Sequence, residues 1–529
     1  MKVTITTIII SFLCYFAALK AQDIPVFENG ELLTFFESRK RTCSDFGDSS
    51  IALQDYTSTW KGFERVYFKV GKHDAYYVKP KTALEGKPWV WRASFPDWHT
   101  DMDSILLTKG LYLVFVDVDD EYGSPYAMQI WDKTYDFLVD SLNFAPKAAL
   151  EGVSRGGLYV YGWAKRNPDK VACIYNEAPV CDSKSWPGGK GKGLGNKDNW
   201  AQYLQVFKMT EEEALAFKDN PIDNLEGLAS FKVPVLHVIS NSDKIVPNDE
   251  NTYLFVQRYT ALGGPATIYP VTEGHQNLEG HHFPISKADE WADFIVKNTY
   301  PVKKPLPNGD YFKIRDGLKN TFQSVSGNKK ATIAFLGGSI TYNNMGWRIK
   351  TCAYLKECFP ETDFRFIAAG IPSLGSLPHA FRLQRDLLDL GKIDLLFVEA
   401  AVNDRANGTD SLTQILALEG IVQHAKRSNP DMDIVFMSFA DPDKTQDYNN
   451  GTEPVEIKNH ELVAEHYHLP SINLAKEVRD KMLHKEFSWE DDFKDLHPSV
   501  FGQELYFSTI KSLLKVCFID YKSLKNNDL

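Results

Sequence analysis

Apolar residues in this chain gather into short runs that end at glycine, serine, asparagine or aspartate, and stretches of helical period separate them. ERVYFKV, from Glu64, and AYYVKP read as a hairpin, and WVWRASF and YLVFVDV as buried strands. Trp131 to Leu142 repeats its apolar residues at helical spacing. AALEGV then runs straight into SRGGLYVYGWAKRN, a strand, a sharp turn and a helix in succession. VPVLHVIS and ATIYPV add two further strands, so the alternation predicts an α/β fold with a doubly wound parallel sheet. Asp23 to about Trp60 is mixed and polar instead. Its Phe46-Gly47-Asp48-Ser49 reads as loop, because no strongly apolar strand leads into it.

The same pattern starts again after Tyr300 to Asp310, YPVKKPLPNGD, whose prolines, Asn-Gly and charges mark an exposed linker. Domains are therefore expected at 22–299 and 311–529, joined by 300–310, each with a complete pattern and able to fold alone. Tyr311 to Gln323 predicts a helix that introduces the second domain. Ala331 to Thr341, ATIAFLGGSIT, is a buried strand that delivers Ser339 to a turn. Open α/β sheets bind ligands beyond such strand ends. Gly370 in FIAAGIPSLGS and Asn403 in LLFVEAAVND each follow an apolar run of their own, and Asp495 and His497 lie downstream in DLHPS.

With these four blocks in order, Lys329 to Leu514 resembles the SGNH hydrolases, the GDSL-type esterases. The resemblance implies a flavodoxin-like doubly wound sheet with Ser339 as nucleophile, His497 as general base and Asp495 as the residue that orients the imidazole. The Ser339 and Gly370 N–H groups and the Asn403 amide are the implied oxyanion hole. Gly338 stands where the family usually has Asp, and Ala401 where it usually has Gly.

In the first domain, Gly152-Val153-Ser154-Arg155-Gly156 is G-x-S-x-G in the strand–turn–helix setting that this motif requires. An acid and then a histidine should follow, each after a strand. Asp243 follows VPVLHVIS, and His275 follows ATIYPV directly, with His281 in a second Gly-His turn close behind. Trp60 to Thr299 resembles the α/β-hydrolase superfamily, nearest its prolyl-oligopeptidase-like and carbohydrate-esterase members. By that resemblance Ser154 is the nucleophile, Asp243 the acid and His275, or else His281, the base. The Arg155 N–H and one near Arg92 or Ala93 form the oxyanion hole. His73, His99 and His237 read as structural or surface histidines. Cys181 to Gly195 reads equally as a solvated insertion or as a lid, with Trp186 facing a sugar and its lysines meeting an acidic group.

Composition narrows the setting. Hydrophobic and charged fractions of 43% and 24% are those of a globular protein, and a net charge of −11 disfavours nucleic acid or an anionic membrane as partner. Lys2 and the apolar run to Ala18 read as a signal segment, residues 1–21, too short for a membrane span, so the chain is expected in the periplasm or outside the cell. Six cysteines then remain, and Cys173 with Cys181, or Cys352 with Cys358, lie near enough in sequence to pair if they are not buried thiols. No spacing suits a metal, and no cofactor is expected. The two resemblances together imply a carbohydrate esterase, which removes acetyl or aromatic acyl groups from plant or algal polysaccharides. The alternatives make the first domain a peptidase or a silent glycan-binding module.

Overall fold

The computed structural model describes residues 51–272 and 274–526. The signal segment and the Phe46-Gly47-Asp48-Ser49 loop lie outside them. The first sheet has nine strands: β1 (Ile51–Trp60), β2 (Phe63–Val70), β3 (His73–Lys79), β4 (Trp89–Arg92), β5 (Tyr112–Val116), β6 (Ala148–Val153), β7 (Val171–Glu177), β8 (Val235–Ser240) and β9 (Ala266–Val271). Their order is β1-β2-β3-β5-β4-β6-β7-β8-β9, antiparallel from β1 to β5 and parallel beyond. This is the α/β-hydrolase arrangement.

The second sheet has six strands: β10 (Phe312–Lys313), β11 (Lys330–Gly337), β12 (Asp363–Gly370), β13 (Leu395–Glu399), β14 (Asp433–Ser438) and β15 (Ser471–Asn473). Its order, β10-β15-β14-β13-β11-β12, is the doubly wound flavodoxin pattern with an antiparallel strand added at one edge.

Burial on both faces explains why most strands read as continuous apolar runs. Every residue of β4, β6, β8, β13 and β14 is buried. On one face of the first sheet Trp91 stacks on Trp131 at 4.2 Å, with Trp163 beside them. β1 lacked such a run because it is the sheet's edge and alternates with polar residues.

The helix expected over Tyr311 to Gln323 is corrected. Only Lys319–Gln323 is helical; Phe312–Lys313 pairs with β15, and left-handed Arg315 and Gly317 (φ +46° and +69°) turn the chain between them. Cys173, Cys181, Cys352 and Cys358 carry thiols, not disulfides. Cys352 and Cys358 sit on one helix, Trp347–Cys358, at positions that face different sides.

The linker is not all that joins the two sheets. Arg166 donates through Nε to both carboxylate oxygens of Glu357, at 2.9 and 3.1 Å. Lys511 donates to Asn167 at 2.8 Å, and the Phe231 and Phe501 rings lie 4.8 Å apart. Both members of the Arg166–Glu357 pair are about three-quarters buried. Glu357→Ala leaves the Arg166 Nε without its carboxylate at the interface, although the other guanidinium nitrogens keep Asp219 and the Gly162 carbonyl, and should lower unfolding stability by about 1–3 kcal/mol. A urea titration reads this directly, and an unchanged midpoint counts against the pair.

Candidate active sites

The first centre forms where three strand ends meet. Ser154 leaves β6 in the left-handed region, at φ +51°, before helix α1 (Gly156–Ala164) begins. Few non-glycine residues hold that conformation. Here it is pinned on both sides: Ser154 N donates to Glu177 O, and Val180 N donates to Ser154 O, each at 2.8 Å. A Cβ on Gly156 would come within 2.8 Å of Ser94 Oγ, so glycine lets α1 start hard against the loop after β4.

His281 Nε2 is 2.9 Å from Ser154 Oγ, and His281 Nδ1 is 2.7 Å from Asp243 Oδ2. The other oxygen of Asp243 accepts the Ile245 and Val246 N–H groups at 2.9 Å each. Those bonds fix the carboxylate, which accepts the Nδ1 proton and leaves the Nε2 lone pair facing the serine. Both side chains are at least 95% buried.

The geometry puts His281, not His275, against the serine. His275 is exposed. After it the chain turns through Leu278, Glu279 and Gly280, all at positive φ, and passes so close to Ser242 that a Cβ on Gly280 would meet its carbonyl at 2.5 Å. That approach carries the next residue, His281, onto Asp243.

Neither Ala93 nor Arg92 is placed to supply the hole's second N–H. Ala93 N donates to Glu151 O at 2.9 Å, and Arg92 lies inside β4, paired with β5 on one side and β6 on the other. Arg92 contributes its side chain instead. Buried between Asp103 and Glu151, at 2.7 Å from each, it also donates to Phe95 O at 3.0 Å and to Trp98 O. It thereby clamps the loop after β4 over the site.

Arg155 lies across the Phe95 ring, 3.8 Å from Asp119. Burial raises the Asp119 carboxyl to about 6, outweighing Arg155. Trp98, His282 and His281 form the opposite wall, with Trp98 and His282 rings 4.9 Å apart and those of the two histidines 5.5 Å apart. His99 stacks on Trp98 at 4.6 Å and pairs with Glu177 at 2.9 Å. Lys184, Lys190 and Lys192 of the Cys181 to Gly195 segment pair with the chain's own Asp182, Glu211 and Asp249. Trp186 packs toward Tyr122 at 6.2 Å.

The second centre is more open. β11 ends at Gly337, and Ser339 begins a single helical turn, Ser339–Tyr342. Ser339 Oγ is 2.8 Å from His497 Nε2. Asp495 does not bond the imidazole: its Oδ1 accepts the His497 backbone N–H at 3.2 Å and stays 3.9 Å from Nδ1. The two residues share an exposed segment, where water and the backbone compete for the carboxylate.

Gly370 ends edge strand β12 opposite Gly337. Because Ile371 N donates to Gly337 O, the alternation of a parallel ladder turns the Gly370 N–H away from β11. Asn403 projects from helix α2 (Ala401–Ala406) toward Gly338, where an added Cβ would lie 2.1 Å from its Oδ1. Glycine at that position therefore keeps space for the Asn403 amide.

Two buried carboxylates beneath this centre were not legible as site residues. Asp404 accepts both the N–H and the hydroxyl of Ser376, at 2.8 and 2.9 Å, tying the turn after β13 to the turn after β12. Glu399 accepts the Val402 N–H at 3.1 Å, at the start of α2. Burial raises the Glu399 carboxyl to about 7, against the smaller pull of Val402 and Lys444.

The folded state therefore holds this proton where the unfolded chain releases it near 4.5. The resulting stability is present below pH ~4.5 and is lost as pH rises through ~7, about 3 kcal/mol in all. Glu399→Gln should flatten that slope. Urea unfolding at pH 5 and pH 8 measures it, and an unaltered slope in the variant would refute the assignment. Among the described residues no three His, Cys, Asp or Glu side chains are grouped as a metal requires.

Residues 335–505 match the model of the GDSL-like lipase/acylhydrolase family. That segment is a GDSL-type hydrolase domain. The match spans Ser339, Gly370, Asn403, Asp495 and His497. No curated protein matches the chain.

Among solved structures it is similar to a two-domain esterase active on acetylated mannans, co-crystallised with mannopentaose, at 25% identity over 41% of this chain and 58% of that one, with a TM-score of 0.35. Acetyl xylan esterase 1 from Thermoanaerobacterium sp. is 17% identical over 47% and 88% of the two chains, with a TM-score of 0.35. Pyrococcus horikoshii acylaminoacyl peptidase is 15% identical over 49% and 43%, with a TM-score of 0.34. The chain spans somewhat over half the length of the two-domain esterase. Among the described residues no helix is long and apolar enough to cross a membrane.

Proposed function

We propose that this is an exported, bifunctional serine esterase that removes acyl groups, chiefly acetyl, from polysaccharides. Its domains are 22–299 and 311–529, joined by 300–310. The observation that carries the reading is the pair of serine–histidine hydrogen bonds, 2.9 Å at Ser154 and 2.8 Å at Ser339, each at the end of a strand in a different sheet. Two ester-cleaving centres on one chain suit a substrate with many esters on one backbone, since a bound polymer stays concentrated near the second site.

The chemistry is the same at both. Serine Oγ attacks the acyl carbon as histidine Nε2 takes its proton, and the carbonyl electrons move onto an oxyanion held by backbone and amide N–H groups. The imidazolium protonates the departing sugar oxygen, the ester C–O bond breaks, and an acyl-serine remains. Water, deprotonated by the same histidine, releases the acid and restores the serine.

At Ser154 the base is His281, Asp243 orients it, and the Arg155 N–H, with a second N–H from the loop after β4, receives the oxyanion. At Ser339 the base is His497, with Asp495 nearby, and the Ser339 and Gly370 N–H groups and the Asn403 amide receive it. Acetate release from an acetylated polysaccharide, measured for the parent chain and for Ser154→Ala/Ser339→Ala, tests the reading. Release by the parent and none by the double variant is expected. Release by neither, with a proline-containing peptide cleaved instead, would favour a peptidase.

A further inference from the structure

We infer that the first domain positions the catalytic base of the second: the Phe231–Lys232 turn buttresses the segment that carries His497, and the Ser339 centre reaches its full rate only with that turn in place. Phe231 and Lys232 are positioning residues, acting through the segment and not on substrate. The inference rests on the reading of His497 as the base at Ser339.

The need for an outside support follows from what His497 lacks. At the first centre a buried carboxylate bonds the imidazole, Asp243 to His281 at 2.7 Å. At the second, Asp495 stays 3.9 Å from His497 Nδ1, so the place of the ring is left to the backbone that bears it. That backbone is a short loop between Phe493 and Ser499. Phe493 O accepts the Asp495 and Ser499 N–H groups at 3.1 and 3.0 Å, closing the loop on both sides of His497. Gly502 seats the loop on the helix Val500–Asn526, since a Cβ there would lie 2.5 Å from Pro498 Cβ and 2.8 Å from the Phe493 ring.

The first domain holds both flanks of this loop. Before it, Lys232 Nζ donates to Asp492 Oδ1 at 2.8 Å, while Asp492 Oδ2 accepts the Ser488 N–H at 3.0 Å. Beyond it, the Phe231 ring packs on Phe501 at 4.8 Å, Phe501 on Phe487 at 5.0 Å, and Phe487 on the buried Phe493 at 6.3 Å. A row of rings thus runs from the first domain to the residue whose carbonyl closes the loop. The helix Glu226–Ser230, which leads into the turn, lies against the helix after His497, because a Cβ on Gly227 would clash with Glu504 Oε1. An exposed ion pair such as Lys232–Asp492 adds little stability. Placement is another matter, since a shift of about 1 Å in a reacting group can cost about a hundredfold in rate.

The turn is remote from the other serine. It precedes β8, and Asp243 follows the far end of that strand, roughly 20 Å away. Damage to it should therefore separate the two centres.

The test uses the full chain, with Ser154→Ala to isolate the Ser339 centre and Ser339→Ala to isolate the other. Phe231→Ala with Lys232→Ala in the Ser154→Ala chain should lower kcat on 4-nitrophenyl acetate at least fivefold and leave KM within twofold, because His497 serves acylation and deacylation alike. In the Ser339→Ala chain the same two changes should leave both constants within twofold. Phe231→Tyr with Lys232→Arg, which keeps the ring and the cation, should retain at least half of the parent kcat. A fluorophosphonate ester separates positioning from unfolding: labelling of Ser339 should slow at least fivefold yet reach the same end point. An unchanged kcat at Ser339, equal losses at both centres, or a lowered end point at an unchanged labelling rate overturns the inference and leaves the esterase reading intact. A Ser154→Ala parent that neither hydrolyses the ester nor takes the label overturns both.

Discussion

His281→Ala, made in a chain whose Ser339 is already Ala, should abolish the remaining ester hydrolysis as completely as Ser154→Ala does, by about a thousandfold or more. Members of a triad act as a unit, so removing the base costs what removing the nucleophile costs, and removing both costs little more. The distances leave no second candidate: His281 reaches Ser154 at 2.9 Å and Asp243 at 2.7 Å, whereas His275 is exposed. His275→Ala should therefore stay within about threefold of its parent. Initial rates on 4-nitrophenyl acetate decide the matter, and a His275 variant as dead as the serine variant would require redrawing the loop after β9.

At the second centre, Ser339→Ala or His497→Ala in a Ser154→Ala chain should also cost about a thousandfold or more. Asp495 should behave differently. Its carboxylate is 65% exposed and stands 3.9 Å from the imidazole, so it holds the ring weakly before substrate arrives. Asp495→Ala should cost about tenfold to a hundredfold, well short of the His497 loss. If the two losses match, the bond missing here forms during turnover and Asp495 is a full member of the triad.

The sequence exposed the catalytic blocks because a parallel sheet buried on both faces writes its strands as apolar runs, and each block interrupts such a run. That logic put Ser154, Asp243, Ser339, Gly370 and Asn403 at or just beyond strand ends, where the fold also has them. It failed where the chain leaves the sheet. His275 and His281 both follow β9 at plausible distances, and only the left-handed turn at Leu278 to Gly280, held against Ser242, decides between them.

Within the loop after β4, Arg92 and Ala93 are committed to the sheet, a matter of hydrogen bonding that position in sequence does not reveal. The side-chain role of Arg92, like Glu399 and Asp404, was invisible for another reason. They act through buried contacts with residues far away in sequence, such as Arg92 with Glu151 and Asp404 with Ser376, and no local pattern announces such partners. β1 and the segment after Tyr311 escaped because edge strands alternate with polar residues and a two-residue strand carries no periodicity.

The central claim is that one chain holds two activated serines, and covalent labelling tests it without any choice of substrate. Incubated with an excess of a fluorophosphonate ester and weighed intact, the chain should gain two adducts, mapped by peptide sequencing to Ser154 and Ser339. Ser154→Ala and Ser339→Ala should each gain one, and the double variant none. A single adduct on the parent chain, or adducts that persist in the double variant, would contradict the account.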